Sequence, residues 1–158
     1  VAAVLSSARA LSPHRMDVHE LIVDGIAITL IDDSYNANLD SMRAGIAALA
    51  SIGSDARKIA VLGEMLELGD DSQPLHEQVG ALIADAGVDT LIGLGSDAHY
   101  YSEGAPGVPH REVASDPEQA ARLVIEHAVD GAVILVKGSY GSHSWQVADI
   151  LREKGTNR

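Results

Sequence analysis

The chain contains no cysteine. Disulfides and thiolate metal sites are therefore excluded, and the composition fits a reducing compartment such as the cytoplasm. Phenylalanine is absent too, and the larger aromatics are one tryptophan and four tyrosines. A core must then be built from Leu, Ile, Val and Ala, and with 46% apolar residues in 158 there are enough of them for one domain. Positive charge is scarce: 11 Lys and Arg stand against 23 Asp and Glu, for a net charge of -12. Such a surface repels a phosphate backbone, so nucleic acid is not expected as a partner, although a local basic site can still take a nucleotide. No apolar run reaches the length of a membrane span, and residues 1–10, though apolar, lack the basic flank of a signal peptide. A start at Val1 rather than at Met is expected to mark a fragment. The seven histidines form no HExxH, and no His–carboxylate set has metal-ligand spacing, so no metal site is expected in this chain.

What is present is an alternation of short apolar runs with helical periodicities. Runs 18–23 and 26–31 flank Asp24-Gly25, a strong hairpin signal. Beyond a polar loop at 34–38, Leu39, Met42, Ile46 and Leu49 recur at three- and four-residue steps and predict a helix, with Asn38 or Asp40 as its cap. Further strands are predicted at 58–62, 90–92, around Val113 and at 132–136, the last being the most strand-like run. Between them lie a helix marked by Leu75, Val79, Leu82 and Ala86, a short one at 98–101, and one from a Ser115 cap with Glu118 to about His127. A last helix holds Trp145, Ala148 and Leu151. This order predicts an α/β fold: a Rossmann-like, mostly parallel sheet of five or six strands, helices on both faces and an N-terminal antiparallel hairpin. Residues 1–14 are expected to be the end of a preceding domain or a hinge, 15–154 the domain itself, and 155–158 a loose tail.

Three strand-to-helix turns carry the residues suited to chemistry. Asp32 to Asn38 combine carboxylates and amides at a strand's C-terminal end, where open α/β sheets bind ligands. They suit a ribose, a base edge or a metal-bound water, or else an Asx-type turn that satisfies its own amides. Lys137-Gly138-Ser139-Tyr140-Gly141-Ser142 offers a point charge and backbone donors to a carboxylate or phosphate, or is a tight turn with a solvated lysine. It is not a P-loop, in which the lysine follows both glycines. Gly93, Gly95 and Ala98 match the relaxed dinucleotide pattern weakly and fit an NAD-linked oxidoreductase or an ordinary turn. His76, beside Leu75 on a helix, reads as a packed or surface histidine rather than a ligand.

Taken together, three segments resemble the Mur ligase family, in its D-alanyl-D-alanine-adding branch. They are Ile31-Asp32-Asp33-Ser34-Tyr35-Asn36-Ala37-Asn38 with Asp40-Ser41-Met42; Ala60-Val61-Leu62-Gly63-Glu64-Met65 with Glu67-Leu68-Gly69 and His76; and Val136-Lys137-Gly138-Ser139. Pro13 and Arg15-Met16 resemble that family's hinge between central and C-terminal domains. The resemblance covers nearly the whole chain and implies that 15–154 is a Mur ligase C-terminal domain. It implies a parent enzyme that uses ATP and Mg2+, bound mainly by a central domain, to activate the carboxylate of a UDP-N-acetylmuramoyl-tripeptide as an acyl phosphate. The amine of D-alanyl-D-alanine then attacks it. The partners implied are those two substrates and the parent's own N-terminal and central domains. Arg15, Asp33, Asn36 and Asn38 are assigned to the nucleotide, and Lys137 and Ser139 to the dipeptide or the reacting phosphate. No catalytic residue is expected here, and the chain alone is expected to be inactive. Two positions depart from the family: Leu39 replaces a usual proline, and Tyr140 a frequent arginine, which weakens the case for bidentate carboxylate binding there. The rival readings are the C-terminal domain of a folylpolyglutamate synthase and a non-catalytic nucleotide-binding module.

Overall fold

The computed structural model describes residues 14–158, so most of the expected hinge or domain end at 1–14 lies outside the described residues. The chain opens with β1 (Asp17–Val23) and β2 (Ile26–Asp33), paired antiparallel with Val23 opposite Ile26. Asp24 and Gly25 both take positive φ, 51° and 81°, so the two-residue turn follows the twist of its strands. There follow α1 (Leu39–Ile52), β3 (Lys58–Gly63), α2 (Ser72–Asp85), β4 (Thr90–Leu94), α3 (His99–Glu103), β5 (His110–Ala114), α4 (Pro117–His127), β6 (Ala132–Lys137), α5 (Ser144–Lys154) and β7 (Thr156–Asn157).

The strands form one seven-stranded sheet in the order β5-β4-β3-β6-β2-β1-β7. β2, β6, β3, β4 and β5 run parallel, and β1 is antiparallel to both of its neighbours. The α/β expectation holds, with more strands than the five or six expected. The extra one corrects the tail: Thr156 and Asn157 pair with Ile22 and Leu21, Arg158 N–H donates to Glu20 O, and the Arg158 side chain pairs with Glu20. The tail thereby caps an edge of β1 that would otherwise leave backbone groups unpaired.

Alternate strand residues feed two cores. Ile59, Val61, Ile134 and Val136 point to the face covered by α4 and α5, against Ala120, Val124, Val147 and Leu151. Ala60, Leu62, Val133 and Leu135 point to the face covered by α1, α2 and α3, against Met42, Leu49, Ile83 and Tyr101. Of the two cap candidates for α1, Asn38 serves: its side chain accepts from Ser41 N–H, and Ser41 Oγ accepts from Asn38 N–H. For α4 the cap is Asp116, which accepts from Gln119 N–H, not Ser115, whose side chain meets that of Gln119. Helix α2 buries His76, Val79, Gly80 and Ile83 and leaves Leu75 and Leu82 half-buried, a face turned by one residue from the predicted one.

Candidate functional site

Because β6 lies between β2 and β3, the C-terminal ends of all three are neighbours. Loops 34–38, 64–68 and 138–143 meet there. They enclose an open groove of about 690 Å³ lined by Tyr35, Asn36, Asn38, Leu66, Glu67, Ser139 and Tyr140 among others. The backbones can converge because Gly63 and Gly138 face each other: a Cβ on Gly138 would lie 2.8 Å from Gly63 Cα and 2.7 Å from Ser142 Oγ.

Each predicted site residue sits on or beside this groove. Arg15 is exposed, with its guanidinium 4.1 Å above the centre of the Tyr35 ring. Asn36 is exposed; its side-chain oxygen accepts from Ala37 N–H, and among the described residues its amide donors have no acceptor. Asn38 spends its oxygen on the cap of α1. Asp33 is engaged at both oxygens: Oδ1 accepts from Met16 N–H at 3.1 Å and Oδ2 from Lys137 Nζ at 2.8 Å.

Lys137 ends the central strand and is buried, its side chain 2% exposed. Its ammonium also donates to Asn36 O at 3.0 Å and Asp33 O at 3.4 Å, so it faces the β2–α1 loop rather than the open groove. Ser139 behaves differently. Its Oγ accepts from Leu66 N–H at 3.0 Å, and among the described residues its own proton has no acceptor, so it can donate into the groove. Tyr140, 53% exposed, stacks on Trp145 with ring centres 5.5 Å apart and lies 5.6 Å from Tyr35.

A second polar cluster lies beneath the loop. Asp32 is fully buried; its Oδ1 accepts from Ser34 Oγ at 2.5 Å and its Oδ2 lies 2.7 Å from His14 Nδ1. Burial raises the Asp32 carboxyl above its ordinary range, and the contacts with Ser34 and His14 offset part of that rise. The set is no hydrolytic triad: Ser34 is buried, and it meets the same ring nitrogen as Asp32 instead of the opposite one.

Several contributors were given no site role by sequence reasoning, although Tyr35, Glu64 and His76 lie in the family-like segments and His76 is packed, one of the two placements expected for it. Tyr35 and Leu66 line the groove with exposed apolar surface. His76 is buried; its Nε2 accepts from Met65 N–H at 3.0 Å and its Nδ1 lies 2.7 Å from Ser72 O, so it staples α2 to loop 64–68. Its position after the strand-glycine-glutamate run was the available signal. Glu64 accepts from Asp97 N–H and Ser96 Oγ, so the weak dinucleotide turn at Gly93, Gly95 and Ala98 already carries a carboxylate of the chain itself. A Cβ on Gly95 would meet that carboxylate at 2.7 Å.

The profile of the family described as "Mur ligase, glutamate ligase domain" matches residues 14–140. The chain belongs to the Mur ligase family. As a Mur ligase domain it is 38% identical, over its full length, to the UDP-N-acetylmuramoyl-tripeptide--D-alanyl-D-alanine ligase of Mycobacterium leprae, of which it covers 34%. It is 38% identical over 80% of its length to the ligase of that name from Escherichia coli, covering 27% of it. Among solved structures it resembles the MurF ligase of Thermotoga maritima, determined in complex with ADP, at 25% identity and a TM-score of 0.74, over 97% of this chain and 37% of that one. A MurF structure from Acinetobacter baumannii matches at 27% identity and a TM-score of 0.71, over 90% of this chain and 30% of that one. The Mur ligase domain thus spans about a third of the length of the curated relatives it matches.

Proposed function

We propose that this chain is the C-terminal domain of an ATP-dependent ligase that joins D-alanyl-D-alanine to UDP-N-acetylmuramoyl-tripeptide in the synthesis of peptidoglycan precursors, in the cytoplasm. One observation carries the reading beyond the family: the groove at the ends of β2, β3 and β6 brings together the Ser139 hydroxyl and the Asn36 amide, whose protons have no acceptor among the described residues, with the Arg15–Tyr35 stack beside them. An exposed ring face and guanidinium suit the base and ribose side of a nucleotide, and a hydroxyl donor suits a carboxylate or phosphoryl oxygen. The residues therefore fit one edge of ATP. Mg2+ is assigned mainly to a central domain, and this chain supplies no step of its own.

A carboxylate is a poor electrophile, and ATP, when bound, supplies the phosphoryl group that activates it. The role of this domain is then to orient the nucleotide with Arg15 and Asn36 on a loop whose shape Asp33 and Asn38 hold, to present Ser139 to the reacting groups, and to exclude water as it closes. The 38% identity to ligases that add D-alanyl-D-alanine favours that dipeptide as the nucleophile. The likeness to a folylpolyglutamate synthase, at 22% identity and a TM-score of 0.62, speaks for shared fold alone.

The test is ligation by the full-length gene product, followed by ADP release. ADP should appear only with the tripeptide nucleotide, D-alanyl-D-alanine and ATP together, and L-glutamate should not replace the dipeptide. This chain alone should release no phosphate from ATP. Asn36→Ala should raise the KM for ATP by about three- to ten-fold, the weight of one neutral hydrogen bond. Ligation of glutamate instead of the dipeptide, or unchanged ATP kinetics in both Asn36→Ala and Asp33→Ala, would overturn the reading.

A further inference from the structure

We infer that Lys137 is a positioning residue: it sets the nucleotide-facing loop and the backbone that presents Arg15, and does not itself hold the dipeptide. The inference rests on the proposed function and deepens it.

Three features of the lysine support this. Its three ammonium protons meet three oxygens at the end of β2 and in the loop after it, Asp33 Oδ2 at 2.8 Å, Asn36 O at 3.0 Å and Asp33 O at 3.4 Å. A buried ammonium is tolerated when its charge is paired and its protons are bonded, and both conditions are met inside the domain. To reach a ligand carboxylate, Lys137 would have to abandon Asp33 and leave that carboxylate without its cation. The stem is fixed as well. Gly45 on α1 makes room for it, since a Cβ there would lie 2.9 Å from Lys137 Cδ and 3.4 Å from Asp33 Oδ2.

The contact then runs outward. Asp33 Oδ1 accepts from Met16 N–H, while His14 N–H donates to Asp17 Oδ2 and Tyr35 N–H to His14 O. His14 and Met16, at φ 65° and 52°, are both in the left-handed region that non-glycine residues avoid, and these bonds hold them there. Arg15 lies between them and projects over Tyr35 at the groove. A charge at the centre of the sheet is thereby linked through Asp33 to the placement of an exposed guanidinium.

The experiment is steady-state kinetics of the full-length ligase with Lys137→Met, Asp33→Asn, the double variant and Gly45→Ala, varying ATP and D-alanyl-D-alanine separately. Lys137→Met and Asp33→Asn should each raise the KM for ATP by about ten-fold or more, with the KM for the dipeptide within about two-fold. The double variant should be no worse than the poorer single, because the two charges act as one unit. Gly45→Ala keeps every charge and improves helix propensity, yet should raise the KM for ATP by crowding the lysine stem, and it decides the question alone if Lys137→Met does not fold. A loss confined to the dipeptide in Lys137→Met, or unchanged ATP kinetics in Gly45→Ala, would overturn the inference.

The two readings fail separately. An unaltered enzyme that does not ligate the dipeptide defeats the proposed function. For the positioning role there is a readout free of activity: in this chain the Lys137 ammonium should give a slowly exchanging NMR signal that Asp33→Asn abolishes. Rapid exchange in the unaltered chain would overturn the inference whatever the enzyme does.

Discussion

At the scale of single residues, Asp32 shows what burial does to a charge. Burial lifts its carboxyl above the ordinary 3.8, so the folded chain holds a proton that the unfolded chain would release. Between the two values the native state binds more protons, and stability falls as pH rises. The group's contribution is fully present below the unfolded value and lost once pH passes the folded one. Asp32→Asn keeps the shape, an acceptor for Ser34 and a polar neighbour for His14, but cannot titrate. Denaturation of both proteins at a series of pH values rising from the ordinary 3.8 should show the unaltered chain losing ground against the variant and then levelling off. A difference that stays constant as pH rises from 3.8 would refute the argument. The sequence marked Asp32 and Lys137 as candidate groups, because both follow strand-like runs and precede turns. It did not give their depth. Whether a lysine after a strand is solvated or buried depends on what stands opposite, here Gly45 on another element.

Elements were readable where their apolar pattern was unmixed. Helix α1 has Met42, Ile46 and Leu49 on one face and an asparagine before it, and it forms as expected. Helix α2 does not follow its apolar residues alone, because His76 and Gly80 occupy the buried face, and neither counts as apolar in a periodicity. His76 earns burial by bonding at both ring nitrogens. A backbone N–H can only donate, so Nε2 is the acceptor for Met65, and Nδ1 carries the proton given to Ser72 O. His76→Leu would leave the buried Met65 N–H without that acceptor, a cost of about 1–3 kcal/mol. The expected result is a lower melting temperature together with faster hydrogen exchange at Met65 and Leu66. Unchanged protection at both amides would show that α2 does not hold that loop.

On the scale of the whole molecule, the alternation of strands and helices announced a parallel sheet but not its order. β6, the last of the parallel strands in the chain, inserts between β2 and β3, and that placement brings Lys137 against Asp33 and Ser139 against Leu66. Long-range pairing leaves no local mark on composition. The closing strand β7 is only two residues long and was equally silent. Its position on β1 has a mechanical consequence. The first described strand and the last one are antiparallel neighbours, with Arg158 beside Glu20 and residue 14 just beyond the start of β1. A pull on residues 14 and 158 therefore loads this edge from the same end, as a zipper, with hydrogen bonds failing one at a time. In a single-molecule stretching experiment the tail should peel away at low force without a resolved peak. The parallel strands around β6 should yield later in a distinct event, and a first rupture that takes the whole sheet at once would contradict this.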